Sequence, residues 1–142
     1  MKNLLLVLIV IFASSCKKNT IDLMPEEFKA LSGKWKLVAY QSSDKEPWIV
    51  NTEKDLYNFE VRFDGVVLGN NGLPNCCDFI NLWKLNGKEL LIKPLIKVPE
   101  NPLCRLISCP YIVPCIPNYI LKEDSLFSEG CNNSKYKYVR VK

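Results

Sequence analysis

Seven cysteines and no histidine decide most of the chemistry open to this chain of 142 residues. Without an imidazole, neither a serine–histidine triad nor a cysteine–histidine pair can form, and no two carboxylates are spaced for an acid–base partnership. Gly65, Gly69 and Gly72 surround a turn between two strand-like runs instead of joining a strand to a helix, so no phosphate-cradling loop is expected. Catalysis is not expected, and no cofactor is implied. Sulfur chemistry remains. Cys76, Cys77, Cys104, Cys109, Cys115 and Cys131 form an even set, which in an exported chain forms disulfides. Many pairings are open, fewer once the strained bond between the neighbours Cys76 and Cys77 is set aside. The competing use of these thiols is a zinc or copper site. With no histidine and no CxxC spacing, thiolates alone would have to supply the ligands in an oxidising compartment, and no metal is expected.

Export is signalled by residues 1–15. Lys2 gives a positive start, Leu4 to Ala13 is an unbroken apolar run, and Ala13, Ser14 and Ser15 are small residues ahead of Cys16. A run of ten residues from Leu4 to Ala13, at a rise of about 1.5 Å each, spans only about half of a bilayer's hydrocarbon core, so a signal peptide is expected and not a membrane-spanning helix. Small residues directly followed by Cys16 resemble a bacterial lipobox, in which the signal is cut before the cysteine and its sulfur and new amino group are acylated. That resemblance implies that Cys16 is a lipidation site, that residues 16–24 are a lipidated tether, and that the membrane is the first partner. Lys17 in place of Asp after the cysteine implies the outer membrane, with the leaflet left open. A formal charge of +4, with basic and acidic residues interleaved, argues against a nucleic-acid partner.

The elements that would position the cysteines belong to one domain, residues 25–142. Pro25 to Leu31 has proline first, acids in the first turn and Gly33 just beyond, the order of a short helix. In Lys34 to Gln41 the residues Trp35, Leu37 and Ala39 alternate with polar neighbours, as a half-buried strand requires. Trp48 stands isolated in a polar loop. Tyr57, Phe59, Val61 and Phe63 form one face of a second strand, and Asp64-Gly65 predicts a two-residue type I′ turn into Val66 to Leu68. Two more strands flank Asn86-Gly87, and Tyr119 to Leu121, Ser125 to Phe127 and Lys135 to Lys142 bring the number to about eight. Residues 96–117 interrupt this pattern. Pro99, Pro102, Pro110, Pro114 and Pro117 forbid a regular element there, while Leu103, Leu106, Ile107, Tyr111 and Ile112 demand an apolar contact. Cys104, Cys109 and Cys115 lie among them to staple the loop, either as a lid over a barrel mouth or as a surface for a partner. The expected fold is all-β, a small eight-stranded antiparallel up-and-down barrel with a short N-terminal helix.

Gly33-Lys34-Trp35 after a short helix, the Phe63-Asp64-Gly65 hairpin and the closing Tyr138-Val139-Arg140 are similar, in order and spacing, to the lipocalin-like domains of bacterial lipoproteins. The resemblance implies that Trp35 seals the closed end of a barrel and that Arg140 packs across it, a structural pair. It also implies a non-enzymatic, membrane-anchored module that binds a small apolar ligand or an envelope protein. Tyr57, Phe59, Phe63 and Trp83 are the candidates to line a ligand cavity, although in so small a barrel the same residues also serve simply to fill the interior. The alternative is an interaction or inhibitor module that inserts the stapled 96–117 loop into a partner.

Overall fold

The structure, a computed structural model, describes residues 26–54, 57–77, 82–109, 116–130 and 132–142. In place of the short N-terminal helix expected over 25–31 there is only a single helical turn, α1 (Glu26–Lys29), followed by tight turns that deliver the chain to the first strand. Nine strands follow among the described residues: β1 (Gly33–Gln41), β2 (Ile49–Val50), β3 (Phe59–Val61), β4 (Val67–Gly69), β5 (Leu82–Leu85), β6 (Lys88–Leu91), β7 (Asn118–Lys122), β8 (Ser125–Glu129) and β9 (Lys135–Arg140). They form one curled sheet in the order β4-β3-β1-β9-β8-β7-β5-β6, with β2 added beside β1. First and last strands pair along most of their length, from Trp35 against Arg140 to Gln41 against Lys135.

This is a mixed half-barrel and not the closed antiparallel meander that was expected. One pairing is responsible: β5 runs parallel to β7, Lys84 beside Asn118 and Leu85 beside Tyr119. A meander would have placed β7 against β6. The 92–117 connection is long enough to carry the chain past β6 and return it alongside β5, as a parallel neighbour requires.

The alternation of β1 and its neighbours builds the core. Trp35, Val61, Trp83, Leu85 and Leu126 point to one side and are buried, joined by Phe28 and Leu31 from the α1 segment and by Ile92 beyond β6. Phe59, Tyr119, Leu121 and Tyr138 pack against this cluster. A bulge between Leu37 and Ala39 bends β1, so that its first half faces β3 and its second half faces β2. Between those two short partners, Asn58 accepts from the Leu37 amide at 2.5 Å and the Asn51 side-chain amide donates to the Leu37 carbonyl at 3.2 Å. Side-chain amides thus continue a ladder that the backbone leaves off.

The β3–β4 turn departs from expectation in a consequential way. Arg62 N donates to Val66 O and Gly65 N donates to Arg62 O, both at 2.8 Å, and among Phe63, Asp64 and Gly65 only Gly65 has a positive φ, 85°. This is a three-residue loop ending in a left-handed glycine, where a two-residue turn was predicted. The extra residue reverses the facing: Phe63 is 53% exposed and Asp64 fully buried. By contrast Asn86 and Gly87 both take positive φ, 50° and 80°, giving the expected two-residue turn between β5 and β6.

Gly65 is fixed by both conformation and space, since a Cβ built there would lie 2.1 Å from Ile92 Cδ1. Gly65→Ala should therefore cost about 2–3 kcal/mol, combining left-handed strain with displacement of a core isoleucine. Urea melts check this, and a variant within about 0.5 kcal/mol of the parent would show that the turn and Ile92 are not in contact.

Candidate functional site

Because the sheet path begins at β4 and ends at β6, whatever joins those ends decides whether the molecule has a seam or a mouth. Among the described residues no ladder joins them, and side chains take over. Trp83 Nε1 reaches across to donate to Gly65 O at 2.8 Å. Asp64 accepts from the Leu95 and Ile96 amides at 3.0 and 3.4 Å, and Arg62 holds both Asp64 oxygens at 2.6 Å while donating to Ile96 O at 2.9 Å. Further along, the Asn101 side-chain amide donates to Pro74 O at 2.9 Å. Two disulfides follow, Cys76–Cys104 and Cys77–Cys109. Segments 64–77 and 95–109 therefore run side by side in the same sense, fastened at both ends.

The electrostatics of the latch favour its ionised form. Burial pushes the Asp64 carboxyl up, but the Arg62 guanidinium and the Leu95 and Ile96 amides outweigh burial and hold it at about 2. Hydrogen bonding to Asp64 in turn raises Arg62 above its ordinary value. A bidentate guanidinium–carboxylate pair with its remaining lone pairs used by amides is the geometry in which a buried charge is tolerated. Nothing in the local pattern marks Asp64 as buried, an Asp in a turn being ordinarily solvated. The available signal was Arg62, two residues earlier and able to reach it.

Trp35 is fully buried, its Nε1 donates to Leu31 O at 2.8 Å, and Arg140 Cζ lies 4.4 Å from the centroid of its ring. The same guanidinium donates to the carbonyls of Ala30 and Ser32. It thereby ties the segment after α1 to the end of β9. Stacking of this kind contributes on the order of 0.5–2 kcal/mol.

The four residues considered for a ligand cavity are placed as follows. Trp83 is a core residue, its ring 4.8 Å from that of Tyr119 and its N–H already used. Phe59 packs edge-on against Tyr138, centroids 5.1 Å apart, and burial pushes the Tyr138 phenol up to about 12, the Ser128 hydroxyl opposing it. Tyr57 is half-buried at the surface, with its hydroxyl donating to Asn70 O at 3.0 Å and Lys34 Nζ 4.8 Å above its ring. Phe63 lies outside altogether, for the turn reason given above. An apolar hollow does exist, on the outer face of the β7–β8–β9 sheet, where Trp48, Ile120 and Phe127 meet beneath Lys122 and Lys135. Its volume is ≈ 220 Å³, smaller than the roughly 300–1,000 Å³ of ordinary ligand pockets. The Lys135–Asp44 pair at 2.5 Å holds the loop that carries Trp48.

The stapled loop is the other outward feature. A 3-10 turn at Pro102–Arg105, capped by Asn101 accepting from the Leu103 amide, carries Cys104 and leads into the stretch that ends at Cys109. Its apolar residues stand out from the surface, Leu103 60%, Leu106 84% and Ile107 50% exposed. Arg105 and Glu100 flank them as an exposed pair at 3.5 Å, which contributes little to stability. Among the described residues no group of three metal-ligating side chains comes together, and four of the six candidate cysteines are consumed in disulfides. Cys115, Cys131, Tyr111 and Ile112 lie outside the described residues, as do Cys16 and the expected signal and tether. Comparison with family models, curated proteins and solved structures finds no match for this chain.

Proposed function

We propose that this chain is a lipocalin-like lipoprotein of the bacterial envelope, acylated at Cys16, carried on the outer membrane, non-enzymatic, and built to hold a partner protein with its disulfide-stapled loop. The observation that carries this reading is the exposure of Leu106, 84%, on a loop fixed by two crosslinks. Large exposed apolar side chains are costly to leave in water and mark contact surfaces when they cluster. A loop that is already rigid loses little conformational entropy on docking, so its apolar contacts appear as affinity. Packing of the interior around Trp35 and Trp83, each with its indole N–H used, favours this over storage of an apolar ligand inside the barrel.

The test places a photoreactive residue at position 106 or, as control, at Val50, which is also outward, at 71% exposure, but on β2, beside the second half of β1. Irradiation in the native host should give a discrete adduct from position 106 and none from 50. Leu106→Asp/Ile107→Asp should abolish the adduct obtained from a reporter at Leu103 and leave the melting temperature unchanged. Equal crosslinking from 50 and 106 would remove the loop from the account.

A further inference from the structure

The chain enters the fold at α1 and passes directly into β1, where Gly33 pairs with Val61 at the end of β3. The turn that follows Val61 therefore projects from the same end of the sheet at which the N-terminal segment arrives. Phe63 sits on that turn and is 53% exposed, and Asp64 beside it binds the amides of Leu95 and Ile96, themselves 45% and 49% exposed. Lys93 and Lys97 flank the pair and are exposed. Asp64, beside Phe63, is buried and held by Arg62. Of the exposed acids nearest the two lysines in the chain, Glu100 faces Arg105 at 3.5 Å and Glu89, on β6, lies four residues before Lys93, so the patch keeps a net basic character. Nine residues, 17 to 25, separate Cys16 from α1, and an extended chain of that length reaches at most about 30 Å.

We infer that Phe63, Leu95 and Ile96, with Lys93 and Lys97 beside them, form a face that rests on the anionic surface of the bilayer holding the chain's own lipid anchor. This rests on the acylation of Cys16 proposed above. The chemistry is that of interfacial docking: aromatic and aliphatic side chains enter the headgroup boundary while basic side chains meet lipid phosphates. A short tether keeps the patch near that surface. The Leu103–Ile107 stretch, held further along the seam by Cys76–Cys104 within it and Cys77–Cys109 just beyond it, is left for a protein partner.

The experiment uses the acylated protein purified from its host and reconstituted into phosphatidylethanolamine–phosphatidylglycerol vesicles with or without brominated acyl chains. Both probes are placed in a Trp48→Phe background, since Trp48 is 44% exposed whereas Trp35 and Trp83 are buried: Phe63→Trp then adds the one exposed indole, and Val50→Trp adds one at the opposite part of β1's flank. Brominated lipid should remove most of the emission added at 63 and leave that added at 50. Protein that floats with the vesicles yet keeps the emission from position 63, or loses both equally, overturns this docking face alone. A chain that carries no acyl group and does not float overturns the anchor and the docking face together.

Discussion

Asp64→Ala should destabilise the fold by about 3 kcal/mol at neutral pH, a large part of the roughly 5–15 kcal/mol that holds a domain of this size together. The substitution removes one partner of a buried pair, leaving Arg62 with a side chain only 15% exposed and two amides without their acceptor. Asp64→Asn keeps the shape and one accepting oxygen, and should cost less, about 1–2 kcal/mol. The pH dependence follows from the sign of the shift. The carboxyl titrates at about 2 in the folded chain, against 3.8 for an ordinary Asp. Its contribution, on the order of 2 kcal/mol, is fully present above pH ~4 and disappears as pH falls towards ~2. Urea midpoints measured from neutral to acid pH should converge for parent and Asp64→Ala. A constant gap across that range, or an alanine variant as stable as the parent, would show that the latch does not close the seam.

Removing the two disulfides should have an effect of similar size and a different origin. Cys76–Cys104 closes a separation of 28 residues and Cys77–Cys109 one of 32, each worth about 3–4 kcal/mol as a lone crosslink on the chain-entropy account. The two are not additive. Once the first is closed, Cys77 and Cys109 are joined by a path of only a few residues, so the second restricts the unfolded chain much less. Replacing either pair by serine should thus cost about 1–2 kcal/mol, and replacing both about 4 kcal/mol. Partner binding should respond differently, because Leu106 and Ile107 lie between Cys104 and Cys109 and are fixed only when both crosslinks are closed. Each single-pair variant should remain folded at room temperature, by circular dichroism, and lose the adduct at position 106. Retention of that adduct by the chain lacking all four cysteines would show that rigidity of the loop is not what makes it a binding surface.

How far the sequence carried these conclusions is clearest at individual residues. Trp35 and the alternation around it identified β1, because a strand with one wet face writes its period into the side chains. Asn86-Gly87 fixed its turn because both positions tolerate positive φ. Asp64-Gly65 looked the same and was not: the choice between two and three loop residues depends on whether Asp64 finds a buried partner, and that partner came from Arg62 and from amides about thirty positions later. The parallel β5–β7 pairing was likewise hidden, since hairpin signals speak for neighbours in sequence and the proline-rich crossover decides where the next strand lands. β2, of two residues, has no period to detect. For the cysteines, parity predicted crosslinks but spacing could not choose partners; Cys76 and Cys77, side by side, reach two different residues of one loop because that loop lies along the seam.

The account turns on a filled half-barrel that presents a rigid apolar loop instead of enclosing a ligand. Native mass spectrometry of the acylated protein from its own host addresses this directly. The predicted result is the lipid-bearing chain in complex with a protein partner, the complex disappearing on Leu106→Asp/Ile107→Asp and on reduction of the disulfides. A chain without protein partner that retains a small apolar molecule through both treatments would contradict it.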